Sequence, residues 1–97
     1  MARPQKFSEE DIRINLNSFP LWTREGDSII REMVTANFVS TVGLLNAVAV
    51  LAEAMDHHPD LLIYGWNKLR ITLSTHDSGG LTEYDFKLAK KIEEIGL

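Results

Sequence analysis

The sequence predicts an α+β fold: a four-stranded antiparallel sheet with three helices on one face, in the order α-β-β-α-β-β-α. Three observations carry this. Two pairs of short apolar segments flank Gly26-Asp27 and Gly65-Trp66-Asn67, the pattern of two hairpins. A long apolar segment with helical spacing separates the pairs. Capping patterns at Ser8 and Thr82 open a helix before the first hairpin and another after the second. Helices in that number cover one face of so small a sheet.

Each element has a local reason. Residues 1–7 read as a flexible tail. Ser8 followed by Glu9, Glu10 and Asp11 starts the first helix, with acids in its first turn. Ile12 and Leu16, four apart, share its inner face, and it stops near Ser18-Phe19-Pro20. Residues 21–25 and 28–34 form the first hairpin. The long helix spans about 35–57, and Pro59 stops it. Its stripes Phe38, Val42, Leu45, Ala49 and Leu44, Val48, Leu51, Met55 together cover about half the circumference, wider than one sheet contact needs. The excess predicts self-association, as a homodimer or homotetramer. Residues 61–64 and 68–75 form the second hairpin. Leu69, Ile71, Leu73 and Thr75 point one way, and Lys68, Arg70, Thr72 and Ser74 the other. Thr82 with Asp85 caps the last helix, whose inner face is Phe86, Ala89, Ile92 and Ile95.

At 97 residues and 11.0 kDa the chain makes one domain, residues 1–97. It has no cysteine, which excludes disulfides and thiolate metal sites. A net charge of −4, with no basic residue between Arg31 and Lys68, argues against direct nucleic-acid binding. No charge falls between Glu32 and Glu53, a 20-residue stretch. Thr35, Asn37, Ser40, Thr41 and Asn46 interrupt it, so a buried helix of a soluble protein is expected, not a membrane span. The N-terminus lacks the apolar core of a signal peptide, and the expected compartment is the cytoplasm.

All three histidines lie in one region. His57 and His58 end the long helix, and His76 follows the fourth strand. Glu53, four residues before His57, is expected to orient that imidazole and fix its tautomer. Histidines suit general acid–base chemistry near neutral pH. Plainer roles compete: His57 and His58 as helix-end caps, Asp85 as a capping acid, Tyr64 and Trp66 as packing. A three-histidine zinc site is awkward, because adjacent residues diverge by about 100° on a helix. Ser74 and Ser78 lack a nucleophile-elbow motif, and Gly79-Gly80 alone is no phosphate loop.

Taken together, Glu53-Ala54-Met55-Asp56-His57-His58-Pro59, Trp66, Ser74-Thr75-His76-Asp77, Gly80-Leu81-Thr82 and Asp85 resemble the pterin-4a-carbinolamine dehydratase family. In animals its members also serve as dimerisation cofactors of a homeodomain transcription factor. The run from Asn67 to His76 is especially similar, and the resemblance extends along essentially the whole chain. Two departures stand out. Around Met33 to Thr35 the aromatics of many members are missing, leaving Phe38. The segment between His58 and Asn67 is one residue longer than in animal members.

The resemblance implies a hydro-lyase that converts 4a-hydroxytetrahydrobiopterin to quinonoid dihydrobiopterin with no metal or cofactor. It implies a functional link to an aromatic amino acid hydroxylase, whose pterin it recycles. It puts His57, His58 and His76 around the substrate with Asp85 nearby. Asp56, Ser74, Thr75 and Asp77 match positions that line the pterin site. In this reading His57 and His76 carry the proton transfers, His58 binds and polarises, and Glu53 orients His57. Two other readings share these residues: a protein-binding or assembly cofactor that uses the long helix, and dehydration of a different pterin.

Overall fold

Leu69, Ile71 and Leu73 alternate with half-exposed Lys68, Arg70 and Thr72, and this period of two makes them the inner face of a central strand. The computed structural model describes residues 4–96. Its elements are α1 (Glu9–Leu16), β1 (Thr23–Glu25), β2 (Ser28–Val34), α2 (Phe38–Met55), β3 (Asp60–Tyr64), β4 (Lys68–Leu73) and α3 (Glu83–Glu93), with a short 3-10 turn at His76–Ser78. This is the predicted α-β-β-α-β-β-α order. The sheet runs β1-β2-β4-β3 and every neighbouring pair is antiparallel. Arg31 of β2 and Leu61 of β3 both pair with Ile71, which puts β4 at the centre of the chain's longest ladders.

One face of the sheet carries the core. Ile29, Met33, Leu69, Ile71 and Leu73 pack with Ile12 of α1, Leu44, Val48 and Ala52 of α2, and Phe86, Ala89 and Ile92 of α3. Glu32, Val34 and Leu62 on the opposite face are exposed, so the helices occupy one side only. The cap at Ser8 forms as expected: its hydroxyl accepts the Asp11 N–H and the Asp11 carboxylate accepts the Ser8 N–H, both at 3.1 Å.

Several boundaries differ from the sequence reading. β1 begins at Thr23, because Phe19–Trp22 form a turn that buries Trp22 and donates its indole N–H to Glu93 at 2.8 Å. α2 begins at Phe38, not at Thr35, because Asn37 caps it by accepting the Ser40 N–H at 2.8 Å. Thr35 instead donates its N–H to the Asn67 carbonyl, beyond the β2–β4 ladder. α2 ends at Met55, before the histidines. The expected tail does not hold for residues 4–7. Phe7 donates its N–H to the Leu81 carbonyl and stacks on Phe86, because burying that ring removes apolar surface from water. Residues 1–3 lie outside the described residues.

α2 is only half covered. Thr41, Leu44, Val48 and Ala52 face the core, and Val39, Gly43, Asn46 and Val50 face solvent. By length and mean hydropathy, 18 residues at 1.7, it could cross a membrane, yet 22% of it is buried in the core. The expectation of a buried helix is therefore met on one side and not on the other.

Candidate active site

The site forms where the end of α2, the end of β4 and the start of α3 meet. Asp56 is the pivot. It takes the left-handed conformation (φ 52°), which Asp tolerates better than most residues. The His57 N–H then reaches back to the Ala52 carbonyl at 3.1 Å and the Asp56 N–H to the Glu53 carbonyl at 3.1 Å, the reciprocal closure of a helix C-terminus. This reversal takes His57 out of helical register.

Its consequence corrects the expected Glu53–His57 pair. The i,i+4 spacing brings side chains together only while the helix continues, and here it has ended. Glu53 instead meets His58, Oε1 to Nε2 at 2.9 Å, in an exposed pair. His57 turns inward, 8% exposed, and its Nε2 lies 2.7 Å from Asp85 Oδ1. The edge of its ring sits against Tyr84, with centroids 5.9 Å apart.

Asp85 is held by its position in α3. It is the third residue of that helix, and its Oδ2 accepts the Thr82 N–H at 2.9 Å, completing a capping box. The Thr75 hydroxyl donates to the same oxygen at 2.8 Å, and Thr75 and Thr82 hydroxyls are 2.8 Å apart. Asp85 is fully buried, and among the described residues no buried side-chain polar atom lacks a partner. As a carboxylate Asp85 only accepts, so the hydrogen between it and His57 belongs to Nε2. In the neutral imidazole that leaves the lone pair on Nδ1. The helix-cap and histidine-partner readings of Asp85 are thus both true of one carboxylate.

A cleft of about 220 Å³ opens beside this pair. Asp56, His57, His58, Ser74, Thr75, His76 and Asp77 line it, so all three histidines share one cavity. Thr75 is mostly buried, with its hydroxyl turned to Asp85. Ser74 donates its hydroxyl to the Asp27 carbonyl at 2.8 Å, which ties the cleft wall to the β1–β2 turn. Asp85 stands behind the wall, and Glu53 lies outside it, beyond His58. Thr82 and Tyr84 escaped the sequence reading as neighbours of the histidine, although the Thr82–Asp85 capping pattern was the signal for the first. Among the described residues no group of three or more His, Asp or Glu side chains is arranged to hold a metal ion. A larger hollow of about 770 Å³ includes Phe7, Phe19 and Phe86 in its lining but contains no histidine. The smaller cleft therefore concentrates the groups able to move protons near pH 7.

Residues 5–95 match the family model for pterin 4 alpha carbinolamine dehydratase. The chain is 46% identical over 90 residues to a curated relative from Chloroflexus aurantiacus, covering 93% of this chain and 96% of that one. It is 42% identical over 91 residues to one from Sulfurisphaera tokodaii, covering 94% and 97%. Both carry the name "putative pterin-4-alpha-carbinolamine dehydratase". Among solved structures, a transcriptional coactivator/pterin dehydratase from Brucella melitensis superposes with a TM-score of 0.89 at 28% identity, covering 96% of this chain and all of that one. The chain belongs to the pterin 4 alpha carbinolamine dehydratase family.

Proposed function

We propose that the protein dehydrates 4a-hydroxytetrahydropterins to quinonoid dihydropterins by histidine acid–base catalysis. The observation that carries this reading is the buried His57–Asp85 pair at 2.7 Å, set in the wall of a cleft that His58 and His76 also line. The reaction breaks the C4a–O bond and removes the proton on N5. His57, with Nε2–H committed to Asp85, presents the Nδ1 lone pair as the base for N5, and the buried carboxylate stabilises the imidazolium that forms. His76 stands on the 3-10 turn, lines the same cleft and is exposed, so it exchanges protons with solvent. Protonated, it donates to the leaving hydroxyl, which departs as water. Return of one proton from His57 to solvent, and uptake of one by His76, resets the site. His58, held by Glu53, binds and polarises the pterin.

The cleft is open and small, so it takes the bicyclic ring and leaves the side chain at C6 outside. Biopterin recycling beside a cytoplasmic aromatic amino acid hydroxylase fits this reading. The exposed apolar face of α2 is its self-association surface, in a homodimer or homotetramer. Val39, Gly43, Asn46 and Val50 recur there at 4-3-4 spacing with no charge among them, and Val39 is 79% exposed.

Stopped-flow absorbance of 4a-hydroxytetrahydrobiopterin, with an enzyme-free control, tests the proposal. Wild type should accelerate the decay, and His76→Ala should lower the turnover by about 10²–10⁴-fold. Decay by wild type at the control rate would refute it.

A further inference from the structure

We propose that Thr75 and Thr82 are positioning residues for His57: their hydroxyls form a relay that orients Asp85 and so fixes which imidazole nitrogen carries the hydrogen. The inference rests on the dehydratase reading for its kinetic consequence but not for its structural one.

With Asp85 as a carboxylate, only one arrangement of hydrogens satisfies this cluster. Asp85 accepts and does not donate, so the hydrogen at 2.8 Å between Thr75 Oγ1 and Asp85 Oδ2 is that of Thr75. A hydroxyl has a single hydrogen. The 2.8 Å contact between the Thr75 and Thr82 oxygens must therefore use the hydrogen of Thr82. Thr82 Oγ1 keeps a lone pair for the Tyr84 N–H at 3.2 Å. The chain of donation runs from Thr82 to Thr75 to Asp85. Together with the Thr82 N–H, it gives Oδ2 two donors and leaves Oδ1 to His57 alone.

That division of labour has a chemical effect. A carboxylate free to rotate about its Cβ–Cγ bond could offer either oxygen, at varied angles, to the imidazole. Two donors from two different segments, the stretch after β4 and the cap of α3, pin its plane. Pinned in this way, the carboxylate keeps Oδ1 against Nε2, and the neutral ring keeps the tautomer that contact requires, Nε2–H, with no hydrogen on Nδ1. Thr75 and Thr82 are buried, so water does not replace either hydroxyl without a rearrangement. Thr75 matches a position that the family resemblance assigns to substrate contact. Its hydroxyl is already committed to Asp85, which assigns that group to positioning instead.

The test combines imidazole ¹⁵N NMR of the free protein with steady-state kinetics on Thr75→Val, Thr75→Ala and Thr75→Ser. Wild type should show His57 in the Nε2–H form. Thr75→Val and Thr75→Ala should show mixed tautomers and lose about 10–100-fold in kcat, the usual scale for an outer partner of a functional histidine, with KM changed by less than about threefold. Thr75→Ser, which keeps the hydroxyl, should restore the single tautomer and most of kcat. A folded Thr75→Val or Thr75→Ala protein with the wild-type tautomer would overturn the proposal, whether or not kcat falls. So would a loss confined to KM, which would return the hydroxyl to substrate binding. If circular dichroism shows that neither variant folds, the hydroxyl is a folding element and the proposal fails. If wild type lacks dehydratase activity, the parent reading fails while the NMR result still decides the tautomer relay.

Discussion

Asp85→Asn exchanges one oxygen of a fully buried carboxylate for an NH₂ group and leaves the shape almost unchanged. The structure dictates how the amide must sit. Two donors, the Thr75 hydroxyl and the Thr82 N–H, converge on Oδ2, so the amide oxygen takes that place. The NH₂ then faces His57 Nε2 across the former 2.7 Å contact. Nε2 must accept, and the imidazole hydrogen moves to Nδ1. The base proposed for N5 has become a donor.

The two costs differ in size. For stability, a hydrogen bond to a charged group, about 1.5–3 kcal/mol, becomes a neutral one of about 0.5–1.5 kcal/mol, a net loss on the order of 1–2 kcal/mol. In a domain of this length each kcal/mol shifts Tm by about 4–8 °C, so Tm should fall by about 5–15 °C. For catalysis, losing the base should lower kcat by about 10²–10⁴-fold. That corresponds to about 3–5 kcal/mol of barrier. The variant should therefore be folded at 25 °C and nearly inactive. Thermal melts followed by circular dichroism measure the first effect, and stopped-flow decay of the 4a-hydroxypterin measures the second. A folded Asp85→Asn protein turning over within about threefold of wild type would refute the assignment of His57 as an Asp85-held base.

Leu69→Ala should cost about 2–5 kcal/mol, because Leu69 is fully buried at the centre of the sheet and its removal leaves a cavity between β4 and the helices; urea titration measures it, and a cost below about 1 kcal/mol would mean that the core collapses around the gap. Val50→Asp places a charge on the exposed face of α2, where Val50 is 69% exposed, so the monomer should remain folded while any oligomer dissociates. Size-exclusion chromatography with light scattering reads the result, and an unchanged mass from an oligomeric wild type would move the interface elsewhere. Arg24 grips Glu9 through two hydrogen bonds of 2.7 and 2.9 Å, and this holds the Glu9 carboxyl below its ordinary pKa. A lowered pKa gives stability that is present above the unfolded value and lost as pH falls through the folded one. Wild type should therefore melt slightly above Glu9→Gln at pH 7, and the difference should vanish as pH falls below the ordinary carboxylate range and through the lowered pKa. A difference that persists there would exclude the ion pair as its source.

Much of the architecture could be read from local pattern. Ser8 and Thr82 announced two helix starts because capping needs particular side chains within three residues. Leu69, Ile71 and Leu73 revealed a half-buried strand because a pleat turns alternate residues to opposite faces. Residue type alone drew attention to His57, His58 and His76, since imidazole titrates near neutrality. The apolar stripes of α2 were likewise visible before any fold, although the row of Val39, Gly43, Asn46 and Val50 that faces solvent lies outside them.

Other features depended on the chain's path through space. A left-handed Asp56 ends α2 one residue before His57, and no periodicity in the sequence announces it. That single backbone reversal hands Glu53 to His58 and turns His57 toward Asp85, 28 positions further along. Trp22 finds Glu93 across 71 positions, and Phe7 leaves the expected tail to stack on Phe86. Helix caps and strand alternation are set by neighbours in sequence, so composition and spacing express them. The partner of a buried polar group is chosen by which elements converge, and burial then demands that every donor and acceptor in the cluster be matched. For this protein that demand shaped the cluster: the cap of α3 and the segment after β4 together hold Asp85 against His57.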